Sequence, residues 1–375
     1  MATPWWLAAA ALPLPPTRVD DPEVEIVGAG ITGCSCALAL ARAGLRVRVH
    51  DTREVASGAS GRNGGFALRG GAMAYDKARE WMGDGSACDF WRQTEDALDR
   101  LVELGGDALT RTGSLRIAAD DEEREELRVE FEALAADGFD VEWRDELDSP
   151  LDGRFTAAIF HPRDASLQPA TTVRRIAVAA AEEGVEFRER HRVESVEDLD
   201  AERVVVATDG YPSGLLGSLE GLIIPTRGQM LATAPLGERL FACPHYGRQG
   251  FDYWQQLDDG RVLAGGFRDY ALDTEFTADE ETTPTIQQAL EEFVTDLVGR
   301  DVEVTHRWAG IFGLVLDFLP VVGRVPGSDR VWVAGGYSGH GNVLGFLCGE
   351  LVARALTGDP DPLLESFDPG RLLAA

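Results

Sequence analysis

Short apolar runs alternate with stretches of helical period along this chain. Val24-Glu25-Ile26-Val27 reads as a strand, the alanine-rich stretch after it as a helix, and Val47-Arg48-Val49-His50 as a second strand. Residues 24–51 therefore predict a β-α-β unit. Helices are expected near 86–104, over 120–137 with Leu127, Phe131 and Leu134 on one stripe, over 169–184 and over 285–299. Strands are expected at 114–117, 185–190, 193–196 and 204–207. Residues 222–233, 251–257 and 261–266 predict antiparallel strands, with Asp258-Asp259-Gly260 as a hairpin turn, and 302–310 predicts a further strand. The end of the chain repeats the opening pattern: a strand at 331–334, a glycine-rich loop at 335–341 and a helix over 343–356. The two ends are expected to meet around one ligand, with the antiparallel strands between them as an inserted second domain.

The turn after the first strand is Gly28-Ala29-Gly30-Ile31-Thr32-Gly33, and Asp51 ends the second strand. This is a dinucleotide fingerprint in its structural setting. The first glycine permits a tight turn, the second admits a pyrophosphate, and the third packs helix on strand. A helix starting near Ile31 would aim free N–H groups and its positive dipole end at the phosphates. Asp51 stands at the spacing at which a carboxylate accepts from a ribose hydroxyl. A second glycine-rich stretch, Ser57-Gly58-Ala59-Ser60-Gly61-Arg62-Asn63-Gly64-Gly65, is too rich in glycine for a free-standing helix and too patterned for a linker.

With 375 residues, two domains are expected. A net charge of −29 argues against a nucleic-acid partner, which needs a basic patch. Lys77 is the single lysine, a compositional bias with no function attached. Cysteines at 34, 36, 88, 243 and 348 suit neither a disulfide framework nor a zinc site, and fit a reduced, cytoplasmic setting. Scattered histidines give no metal constellation. The apolar start, Trp5-Trp6-Leu7 and the residues to Leu12, lacks a preceding positive charge and runs into Pro13, Pro15 and Pro16. It reads as an arm packed on the body rather than a signal segment. No apolar run is long enough to span a membrane.

Together these motifs resemble the FAD-dependent D-amino acid oxidase and glycine oxidase family, and within it the γ-glutamylputrescine oxidase-type amine oxidases. The residues that carry the resemblance are Gly28–Gly33, Asp51, Ser57–Gly65, Ala207-Thr208-Asp209-Gly210-Tyr211, Arg227-Gly228-Gln229-Met230, Asp317–Gly323 and Gly336–Gly341. The resemblance implies an α/β fold. A Rossmann-like (GR2-type) FAD domain with a parallel central sheet would come from residues 1–80, 156–220 and 323–375. A substrate domain with a large antiparallel sheet would come from 81–155 and 221–322. It also implies a reaction, oxidation of the C–N bond of an amine or amino acid by hydride transfer to flavin N5, with O2 reduced to H2O2. The cofactor contacts it implies are Gly28, Gly30, Ile31, Thr32, Gly33, Asp51, Thr52, Ala59, Ser60, Arg62, Asn63, Gly64, Gly65, Val193, Ala207, Thr208, Gly336, Ser338, Gly339, His340 and Gly341. The helix after Gly341 would point its N-terminus at the flavin pyrimidine.

Departures from that pattern shape the expected substrate. Phe312 stands about where glycine and D-amino acid oxidases carry an arginine for the substrate carboxylate. Asn342 and Val343 follow the Ser-Gly-His-Gly loop, where sarcosine oxidases carry a lysine. Residues 311–316 contain no cysteine, so FAD is expected to be non-covalent. These absences shift the expectation toward amines or N-substituted substrates, with Arg69 and Arg227 open as alternative anchors. Tyr253, Arg69, Phe312 and His340 are the expected substrate-side residues. No side chain is assigned as catalytic, because the flavin carries the chemistry. Alternatives are a dehydrogenase with another acceptor, a glycine or D-amino acid oxidase, and an RNA-modifying or scaffolding flavoprotein domain.

Overall fold

The computed structural model describes residues 3–8 and 12–373. Part of the expected N-terminal arm, residues 9–11, lies outside them. A six-stranded sheet runs in the order Val321–Arg324, Val331–Gly335, Arg203–Val206, Val24–Val27, Val47–His50, Glu186–Arg188. All neighbours are parallel except the Val321–Arg324 edge.

The two strands of the opening unit are buried along their whole length, as strands covered on both faces must be. Yet they carry Glu25, Arg48 and His50. These charges satisfy one another inside: Arg48 donates to Glu25 at 3.0 Å and to Glu186 at 2.8 Å, and His50 Nε2 lies 3.1 Å from Glu25. The helix Ile31–Arg42 lies against the last helix, Gly341–Leu356, and small residues set the spacing. A Cβ on Gly349 would stand 2.0 Å from Ser35 Oγ, whose hydroxyl donates to Phe346 O at 2.9 Å.

A second sheet has eight strands, in the order Val304–Leu314, Ile224–Thr233, Val262–Gly266, Asp252–Gln256, His245–Gly247, Ser114–Ala118, Ala157–His161, Glu142–Arg144. It is antiparallel except where His245–Gly247 meets Ser114–Ala118. The helix Pro284–Val298 covers it, burying Ile286, Leu290 and Val294 in one core with Leu231, Phe241, Trp254 and Val262. The hairpin turn forms as expected: Leu257 N donates to Arg261 O and Gly260 N to Leu257 O, with Gly260 at φ +89°.

Three sequence expectations change. Residues 193–196 form no strand; the chain leaves the sheet edge after Glu186–Arg188, and Val193 packs with Val27, Val204 and Val206. Ala157–His161 pairs in the large sheet, although the expected boundary at 156 gives that stretch to the nucleotide domain. The strand expected at 302–310 runs on as Val304–Leu314, paired with Ile224–Thr233 throughout, and so delivers Phe312 to the region between the two sheets.

Candidate functional site

Ligands of open parallel sheets bind beyond the carboxyl ends of the strands, where neighbouring connections diverge. That place is a cleft here. Val27, Gly28, His50, Asp51, Ala207 and Thr208 line it from the ends of three adjacent strands, and the Gly336–Gly341 loop closes it from a fourth. Its volume is ≈ 520 Å³. A second cavity of ≈ 190 Å³ adjoins it under the large sheet. Ala59, Asn63, Phe312, Gly339 and Asn342 line both.

The fingerprint glycines divide the work as the sequence suggests. Gly28 has φ +110°, and a Cβ there would meet Ala207 O at 2.5 Å. A Cβ on Gly33 would lie 1.9 Å from Gly28 O, so Gly33 seats the helix on the turn and does not line the cleft. Gly30, Ile31 and Thr32 do line it. The first helical N–H is not free, however: Ile31 N donates to Ser60 Oγ at 2.9 Å, and Thr32 Oγ1 lies 2.8 Å from the Tyr337 hydroxyl. Asp51 accepts from Ala29 N at 2.7 Å and from Arg53 N at 2.8 Å, which fixes its carboxylate at the cleft wall beside Thr52.

The second glycine-rich stretch is held from four sides. Asn63 donates to Ala59 O, Ser60 O and Asn342 Oδ1, and its own Oδ1 accepts from Gly65 N at 2.8 Å. Trp6 Nε1 donates to Asn63 O at 2.7 Å and Trp308 Nε1 to Arg62 O at 2.8 Å. Gln255 donates to Gly64 O and Gly65 O. Ala59 and Ser60 thus face the cleft, Arg62 and Gly64 face the smaller cavity, and Gly65 is a closure point at φ +75°.

Asp209 ties the arrangement together, a role the sequence does not advertise. Its Oδ1 accepts from Gly336 N at 2.8 Å and its Oδ2 from Gly313 N at 3.0 Å. One buried carboxylate therefore joins the ends of three strands. Burial pushes its pKa up, and the backbone N–H groups pull it back. Ser338 makes a parallel tie, donating its N–H to Gly313 O and accepting from Val315 N at its Oγ. Beside Asp209, Thr208 Oγ1 is buried at the cleft with no hydrogen-bond partner. An orphaned hydroxyl at the end of a parallel strand, facing a glycine-lined cleft, suits a dinucleotide that would complete it.

The smaller cavity is aromatic and nearly free of charge. Tyr246, Tyr253, Phe66, Phe312 and Phe318 line it with His340 and Arg268. The Tyr253 ring lies on glycines: a Cβ on Gly265 would be 2.3 Å from it and one on Gly64 3.3 Å. Its strand neighbour Trp254 is buried on the other face against His245, ring to ring at 5.1 Å. Burial pushes the Tyr253 hydroxyl up to about 12 and His340 down to about 4, so both are neutral near pH 7.

The structure does not bring every expected residue here. Arg69 is buried elsewhere, paired with Glu95 and donating to Asp140 O and toward His161 Nδ1. Arg227 is bound on both sides by Glu275 and donates to Glu281 O and Thr274 O. Neither guanidinium is available to a substrate. Val193 is in the core, and Arg192 stands at the cleft instead. Gly336 serves the Asp209 tie rather than the wall. Arg268, Tyr246 and Glu280 were not singled out from the sequence. They come from a hairpin end, a three-residue strand and a loop with no motif around them.

A family profile described as FAD dependent oxidoreductase, DAO, matches residues 23–355. The chain is 24% identical over 388 residues to a probable oxidoreductase, OrdL, of Haemophilus influenzae, covering 93% of this chain and 86% of that protein. It is 25% identical to the γ-glutamylputrescine oxidoreductase of Escherichia coli, covering 90% and 85%. Its fold superposes on the crystal structure of L-proline dehydrogenase from P. horikoshii with a TM-score of 0.79 at 21% identity, over 95% of this chain and 99% of that one.

Proposed function

The chain belongs to the DAO family of FAD-dependent oxidoreductases, and on that premise we propose that it oxidises the C–N bond of an amine or amino acid to an imine and reduces O2 to H2O2. The observation that carries this reading is the junction of the two cavities at Asn63, Phe312, Gly339 and Asn342. A dinucleotide cleft there opens directly onto an aromatic chamber of substrate size. Gly28, Gly30, Asp51, Ser60 and Thr208 would hold FAD, which supplies the electron acceptor for the carbon beside the nitrogen.

The chain's own residues do the rest. Phe66, Tyr253 and Phe312 exclude water and shape the chamber. His340, neutral at working pH, contributes a polar but uncharged wall, so a donor amine must shed its proton to solvent before it reacts. The last helix begins at Gly341 beside the junction and turns its N-terminal dipole toward it. No lining residue of either cavity is a cysteine among the described residues, and burial pushes the thiols of Cys34, Cys36 and Cys348 up. Both facts support non-covalent FAD. We read the six-stranded sheet as the core of the FAD domain and the eight-stranded sheet as the core of the substrate domain.

The test is acid precipitation of the purified protein followed by assay of peroxide with a panel of amines and amino acids. The reading expects FAD in the supernatant and amine-dependent peroxide. A protein that neither carries nor takes up FAD would overturn it.

A further inference from the structure

Arg268 is the one guanidinium on the walls of these two cavities without an acceptor among the described residues. Arg53 pairs with Glu280 at 2.8 Å, Arg62 donates to Ser57 O and Ala309 O, and Arg192 pairs with Glu194 at 3.0 Å. Arg268 instead lies between aromatic faces, its guanidinium carbon 4.2 Å from the Phe251 ring centre and 5.7 Å from that of Phe312. The adjacent carboxylates are engaged: Asp269 and Asp252 both bind Arg248. Stacking on aromatic rings leaves the edge of the guanidinium plane, where all its N–H donors lie, open to the chamber. An arginine cannot relieve this by losing its proton at working pH. A desolvated cation without a counter-ion is costly, and here only a ligand can provide one.

We propose that Arg268 binds an anionic group on the substrate, so that the donor oxidised at this site is an amine that also carries a carboxylate. The inference rests on the reading given above and narrows it. A planar carboxylate matches the guanidinium fork with two parallel hydrogen bonds. The Tyr253 hydroxyl, on the wall of the same chamber and protonated near pH 7, offers a further donor. Phe312 places a flat apolar face beside the cation rather than a second charge. The anchor thus comes from the end of the Val262–Gly266 strand, held where Phe267 adopts a left-handed turn at φ +59°.

The experiment uses the FAD-loaded protein, with benzoate as a non-reacting carboxylate and benzamide as its uncharged counterpart. Binding is read from the perturbation of the flavin spectrum, without turnover. Benzoate is expected to bind the natural protein, with benzamide much weaker. Arg268→Met is expected to weaken benzoate by about tenfold to a hundredfold and leave benzamide unchanged, and Arg268→Lys to recover part of the loss. Flavin content and thermal midpoint show whether each variant is folded. Should Arg268→Met not fold, Arg268→Lys alone decides: it is expected to weaken benzoate measurably and spare benzamide. Equal binding of benzoate and benzamide to the natural protein, or unchanged benzoate binding in a folded variant, would overturn the proposal. Among donors, a carboxylate-bearing amine is expected to lose reduction rate in Arg268→Met far more than the matching amide. If no donor reduces the flavin while benzoate still binds through Arg268, the oxidase reading fails and the anion site stands.

Discussion

At the scale of single residues, Asp209 and Thr208 show how adjacent positions take opposite roles. Asp209 spends its acceptors on backbone N–H groups from two other strand ends, whereas Thr208 leaves a buried hydroxyl unmet. Asp209→Asn replaces one acceptor with a donor facing an N–H. It is expected to lower stability by about 1–3 kcal/mol and to weaken FAD binding through misplaced loops. Urea unfolding and FAD titration of the apoprotein measure the two effects. Thr208→Val is expected to leave stability unchanged or raised, since it removes an unsatisfied group, while loosening FAD. Unchanged FAD affinity would place the hydroxyl outside the cofactor's contacts. Much of this scale was legible in the sequence where backbone geometry forces a residue type, as at Gly28 with its φ of +110° and Gly33 with no room for a Cβ. It was not legible for Arg268. Nothing local distinguishes an unpaired arginine from Arg69 or Arg227, whose partners Glu95 and Glu275 lie 26 and 48 positions away.

At the scale of elements, the N-terminal arm acts as a pin on the glycine-rich loop. Trp6 is buried, with its indole N–H on Asn63 O, and Gln168 at the start of the Pro169–Glu182 helix donates to Trp6 O. A flexible loop that must stand beside a flat cofactor is in this way fixed by a rigid side chain. Trp6→Ala is expected to cost about 3–5 kcal/mol and to raise the rate at which FAD is lost on dilution. Flavin fluorescence follows that loss, and an unchanged rate would show that the arm supports stability alone. Long elements with strong periodicity were readable from the sequence. Short strands such as His245–Gly247 were not, because Ser114–Ala118, far away in the chain, supplies their pairing. The strand expected at 193–196 failed for the converse reason: Val193 finds burial in the core without a strand partner.

For the whole molecule, acid sensitivity follows from buried neutral histidines. Burial holds His245 down to about 3 and His340 to about 4, and drives His161 well below its usual value. The unfolded chain takes up these protons near pH 6.5, so between there and about pH 4 it binds more protons than the folded one. Stability therefore falls as pH falls through that window. Asp164, raised to about 6 mainly by burial, acts in the opposite sense but is one group against three. A further loss is expected between pH 4.5 and 2. There Glu25 and Glu186, each held to about 2 by hydrogen bonds that outweigh burial, become protonated. Urea midpoints should drop from pH 6.5 to 4.5, and His245→Phe, which keeps the ring stack on Trp254, should flatten the drop. A midpoint independent of pH would refute the account of the buried histidines.

The central claim is that the cleft and the aromatic chamber form one site for flavin-dependent oxidation of a C–N bond. Among the described residues no helix is long and apolar enough to cross a membrane, so the purified protein can be examined directly in buffer. The most direct measurement is the visible spectrum of the FAD-loaded protein under anaerobic conditions, with amines and carboxylate-bearing amines added singly and air admitted afterward. The account predicts that a carboxylate-bearing amine bleaches the oxidised flavin and that air restores it with peroxide formed. A flavin spectrum that no such donor bleaches would contradict it.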